Sequence, residues 1–148
     1  MTALNTVLEQ AEAERNQAQL ALRRAEEQTA RLQAQADQLT LYRAEYQQRW
    51  AGQFSRQSAI EIVHCYQSFM QRLDEAMSQQ AQQAEAARQQ TVRLRELLLA
   101  AELRVASVRK LIERRQLETR RNEQRREQCQ SDEQAQHLRQ RRAESIHH

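Results

Sequence analysis

The chain has 148 residues, with one Gly, no Pro, 4% aromatics and 29% charged residues, and its 23 basic and 20 acidic side chains leave a net charge of +3. So few bulky side chains cannot fill a compact interior, and the dominant Ala, Leu, Gln, Glu and Arg favour long helices over a globule or a sheet. The charges carry no uninterrupted basic block, which argues against nucleic acid; no basic start leads an apolar run and no segment nears about 18 apolar residues, which argues for a cytoplasmic protein without direct membrane insertion.

The first predicted element is a helix over about 3–50. Alternate steps of four and three from Leu4 reach Leu8, Ala11, Arg15, Ala18, Leu22, Ala25, Thr29, Leu32, Ala36, Leu39, Arg43, Tyr46 and Trp50. Eleven of these 14 positions are apolar, the mark of a coiled-coil seam that faces one partner helix. Arg15 and Arg43 interrupt it, but each can lay its stem along the seam and carry its charge outward. Next comes AGQFSRQS, which holds the only Gly and two Ser and predicts a turn over about 51–58.

A second helix is predicted over about 59–143. Its seam runs through Val63, Tyr66, Met70, Leu73, Met77, Gln80, Ala84, Ala87, Thr91, Leu94, Leu98, Ala101, Val105, Val108 and Ile112, and 13 of these 15 are apolar. If the chain doubles back, the numbers of facing residues add to a near-constant value. That value is 112 for Leu39 with Leu73, Tyr46 with Tyr66 and Leu32 with Gln80, and 113 for Trp50 with Val63 and Leu22 with Thr91. The expectation is one all-α domain, an antiparallel coiled-coil hairpin reversing near residue 56. Its second helix is the longer, unpaired beyond about 112, with a C-terminal overhang.

All six aromatics lie between Tyr42 and Phe69. Tyr46, Trp50 and Tyr66 are seam residues that can seal the closed end of the hairpin. Tyr42 and Phe69 each stand one position before a seam residue, on the shoulder of the helix pair. One flank then reads Gln35, Leu39, Tyr42 and Tyr46 on the first helix and Phe69, Leu73, Ala76 and Gln80 on the second. Packing and recognition are both open to such aromatics.

The segments LTLYRAEYQQRW and YQSFMQRLDEAMSQQ resemble the flagellar FliJ family, with its relatives in virulence type III secretion systems. The likeness extends over nearly the whole chain in length and architecture and is most specific over about 35–80. The family's patch for the membrane protein of the export gate matches here at Gln35, Leu39, Tyr42, Tyr46, Phe69, Leu73 and Ala76. Its last position, commonly histidine in the family pattern, is Gln80 in this chain. The resemblance implies a stalk of the flagellar type III export apparatus, peripheral to the inner membrane. Its open end, Thr2 to Arg15 and the helix beyond about Val105, would enter the hexameric export ATPase and promote ring assembly. Export chaperones are further implied partners.

An enzyme would need convergent titratable groups in a concave pocket, which a two-helix rod does not offer, so no catalysis and no cofactor are expected. Glu133 and His137 share a helical face, but two such groups are chance patterning more often than a metal site, and no metal is expected. Cys65 and Cys129 have no CxxC spacing and are expected as reduced thiols. The rival functions are a generic coiled-coil tether that pairs its seams between two chains, and the equivalent stalk of a virulence type III system. Molecular mass in solution separates the tether from the hairpin.

Overall fold

A computed structural model describes residues 2–54 and 59–146. The chain is all-α: α1 spans Thr2–Arg49, a π-helical turn continues it over Trp50–Phe54, and α2 spans Ile60–Ile146. With no Pro and good helix formers throughout, nothing interrupts either helix, and the β-branched and hydroxyl residues are accommodated locally. The hydroxyls of Thr40 and Thr119 donate to the carbonyl four residues back, and those of Thr29 and Thr91 lie equally close to theirs, all at 2.9–3.0 Å. At the start of α2 the Ala59 carbonyl accepts from the amides of Ile62 and Val63.

The residues divide into two compact units, Ala13–Glu102 and Met1–Glu12 with Leu103–His148. In the first, α1 and α2 run antiparallel and side by side. Met70, Leu73, Ala84 and Thr91 are its buried positions. In the second, Ala11 and Val105 are 1% and 2% exposed, Ile112 is buried, and Arg109 reaches Glu12 at 3.3 Å. Every position from 113 to 146 is exposed, so this longer arm of α2 is a C-terminal overhang without a helical partner among the described residues. The expected seams hold throughout: all 14 positions of the first and all 15 of the second are buried or half-buried. The hydrophobic effect acting on a 3–4 repeat is sufficient to account for that pattern.

The pairing register differs from the expected one in the 13–102 unit. Tyr46 does stack on Tyr66, and the Gln80 amide does reach the Leu32 carbonyl at 3.4 Å, both pairs adding to 112. Trp50, however, stacks on Tyr66 with ring centroids 4.2 Å apart, a pair adding to 116, and Thr29 meets Thr91, a pair adding to 120. The contacts therefore centre about half a heptad further along than the symmetric reading placed them. Two physical reasons account for this. Each seam side chain enters a hole formed by four residues and so touches more than one opposite number. The first helix also does not stop at 50: its π-helical turn carries it to Phe54, so Trp50 lies inside a helical stretch rather than at its end.

Of the expected turn over 51–58, residues 55–58 lie outside the described residues. Gly52 sits inside the π-helical turn and has no positive φ, and a Cβ there meets nothing within 4 Å. Its conformational freedom is therefore a cost without a structural use. Gly52→Ala is expected to stabilise the chain by about 0.5–1 kcal/mol, seen as a higher urea midpoint. A lower midpoint would show that the reversal needs the glycine.

Candidate partner-docking site

The eight flank positions all fall in the 13–102 unit. α1 supplies Gln35, Leu39, Tyr42 and Tyr46 at steps of four, three and four, and α2 supplies Phe69, Leu73, Ala76 and Gln80 at steps of four, three and four. That spacing keeps each quartet on one helical face. Phe69 is the keystone. Its ring lies 4.4 Å from Tyr46 and 6.3 Å, edge-on, from Tyr42, and the two tyrosines are 6.4 Å apart. The stack continues from Tyr46 through Tyr66 to Trp50, so one chain of five aromatic rings joins the two helices. Edge and offset contacts of this kind hold rings in fixed attitudes beyond what area burial alone supplies.

Exposure separates the roles within the flank. Tyr42 is 47% exposed and Leu73 is 8% exposed, so the tyrosine stands at the surface while the leucine lies in the core. Leu39, Tyr46, Phe69 and Gln80 are half-buried, and Gln35 and Ala76 are exposed. At the far end of the flank the Gln80 amide donates to Gln35 Oε1 at 2.9 Å. Gln80, the last position of the flank, is thus tied to the facing helix.

Two features escaped the sequence. Arg43 carries its charge outward as expected of it, but its partner on the facing helix was not foreseen: Nε donates to Asp74 Oδ1 at 2.7 Å. That hydrogen bond, with the charge of Asp74, raises the guanidinium pKa above its ordinary value. The available signal was an acid directly after seam residue Leu73. The second feature is Ile62, 45% exposed and seven residues before Phe69, which places it on the same face of α2.

A shallow depression lined by Arg43, Gln47, Tyr66, Met70 and Asp74 opens to solvent. Such a surface suits contact with another macromolecule better than enclosure of a small substrate. Among the described residues no three His, Cys, Asp or Glu side chains gather in a way that would hold a metal ion, and Glu133 and His137 remain a pair. Cys65 and Cys129 are free and exposed. No helix is long and apolar enough to cross a membrane.

Comparison with known proteins returned no match among curated proteins and none among solved structures. A family model described as "Flagellar FliJ protein" matches residues 1–144, nearly the whole chain. The chain belongs to the flagellar FliJ family.

Proposed function

We propose that this chain, a component of the flagellar type III export apparatus by its family, couples the export ATPase to the membrane export gate by binding both. The flank of Gln35, Leu39, Tyr42, Tyr46, Phe69, Leu73, Ala76 and Gln80 takes the gate protein. The segments Thr2 to Arg15 and beyond Val105 engage the ATPase hexamer and promote its assembly, and empty export chaperones are handed on by the same stalk. The chain contributes positions and surfaces with no bond-making chemistry of its own. In the cell it works in the cytoplasm, held against the inner membrane by its partners.

The observation that carries this reading is Tyr42, nearly half exposed yet held by Phe69 and Tyr46. A rigid aromatic with a polar tip contributes large contact area at little entropic cost, which is why such residues dominate interface energetics. The exposed arm from 113 to 146 supports the second half of the reading. It includes nine arginines interspersed with acids, a mixed surface suited to a polar, charge-matched partner. The test is affinity capture of the tagged full chain from flagellated cells, with bound proteins identified by mass spectrometry. The export ATPase and the gate protein are expected in the eluate, and their joint absence from a well-folded bait defeats the proposal.

A further inference from the structure

The apolar seams of the 13–102 unit do not by themselves specify one pairing. Sliding α2 by seven residues in either direction still sets Leu, Ala, Met and Val against apolar partners, because the repeat is seven residues long. The polar seam positions behave differently. Arg43 meets Asp74 at 2.7 Å, Gln80 meets Gln35 at 2.9 Å, and Thr29 Oγ1 meets Thr91 Oγ1 at 3.1 Å. In the threonine pair each hydroxyl also lies within 3.0 Å of its own carbonyl four residues back. One hydroxyl therefore bonds its carbonyl while the other bonds across the seam, and neither is left without an acceptor. No buried side-chain nitrogen or oxygen among the described residues lacks a partner.

A slide of one heptad undoes all three contacts together. Arg43 would face Gln67 or Ala81 in place of Asp74, Gln35 would face Leu73 or Ala87 in place of Gln80, and Thr29 would face Ala84 or Leu98 in place of Thr91. Thr91 is 5% exposed; after a slide its hydroxyl keeps the Ala87 carbonyl as acceptor, and what is lost is the contact across the seam. A polar residue at one seam position is the best-attested device for fixing the register of paired helices. Of the polar seam positions in this unit, Thr29, Arg43, Gln80 and Thr91 take part in three contacts across the pair, whereas Arg15, among the described residues, bonds only its neighbour Asn16.

We propose that Arg43–Asp74, Gln80–Gln35 and Thr29–Thr91 form a register code that selects one helix pairing from several of similar apolar burial. The code assembles the aromatic flank, since Tyr42 and Phe69 are neighbours across the pair in this register alone. This inference goes beyond the proposed function and stands whatever docks on the flank. The three contacts are positioning devices: their contribution is uniqueness of pairing more than stability.

The experiment uses the full chain with Cys65→Ser and Cys129→Ser, and spin labels on cysteines introduced at the exposed positions Gln17 and Gln79. These sites are well offset along the pair, so a heptad slide moves the label separation by about 10 Å at the helical rise. The parent is expected to show one narrow distance distribution. The variant Thr29→Val, Thr91→Val, Gln80→Leu, Arg43→Leu, Asp74→Ala is expected to keep its helicity and show a resolved second peak. A concentration-dependent dimer would support the code equally, being the other pairing that an all-apolar stripe allows. Should that variant lose helicity, Thr29→Val with Thr91→Val alone, matched in shape, is judged by the same readout. One unshifted peak from a helical monomer would overturn the proposal, and would assign the register to the aromatic stack and the connection after Phe54.

Discussion

Tyr42→Ala combined with Phe69→Ala is expected to weaken binding to the export-gate protein by about 100-fold, with helical circular dichroism nearly unchanged. Truncating a well-placed interface aromatic costs about 2 kcal/mol or more, and each 1.4 kcal/mol is tenfold in affinity. Two such losses would reach about a thousandfold if they added, but Tyr42 and Phe69 touch each other and their effects overlap, which brings the expectation down. The cost to the fold is smaller. Tyr42 is nearly half exposed, and Phe69 is half-buried on a shoulder, outside the seam that holds the helices together. Leu41→Ala is the control: this side chain is 65% exposed and adjacent to Tyr42, but turned about 100° around the helix. Its removal should leave gate affinity within about twofold, in line with the small effects of surface changes away from special features. Calorimetric titration against the cytoplasmic part of the gate protein gives both numbers. Equal affinities for parent and double variant would remove the flank from the mechanism while leaving the fold untouched.

The seam was legible because burial follows a spacing that only a paired helix needs, and residues as unlike as Leu8, Arg15, Thr91 and Val108 all occupy it. Register was legible only in part: Tyr46 with Tyr66 and Leu32 with Gln80 meet as expected, while Trp50 and Thr91 take other partners, because seam residues are interchangeable neighbours in a repeating stripe. Trp50 shows the difficulty. Its expected neighbour was Val63, yet a flat ring gains more by stacking on Tyr66, and the helix extends through a π-helical turn beyond it. For the candidate site, position predicted exposure: Tyr42 lies one step off the seam and is accordingly half exposed. The partners of long polar side chains were out of reach. Gln80 selects Gln35 and Arg43 selects Asp74 only once the pairing exists, and many glutamines and acids along the chain would serve an unpaired reading equally well.

Truncation after Ile112 is expected to abolish stimulation of the export ATPase while leaving gate binding and the paired helices in place. The deleted segment has no buried position from 113 to 146, so its loss removes no apolar burial. The new terminus does put Ile112 into a fraying last turn, at a cost of about 1 kcal/mol or less, because the last turn of any helix lacks its full set of hydrogen bonds. Function should respond quite differently. The lost arm is 34 residues of α2, about 50 Å at the helical rise, which is ample to reach into the channel of a ring. On the proposed reading its nine arginines meet the ring through charged contacts that salt would screen, so stimulation by the parent should also fall as ionic strength rises. ATP turnover measured with equal amounts of parent and truncated chain decides the matter. A return to the basal rate, with gate affinity retained, assigns the two ends of the coupling to separate parts of the molecule. Full stimulation by the truncated chain would move ATPase contact to the paired segments around Thr2 to Arg15, and the overhang would need a different partner.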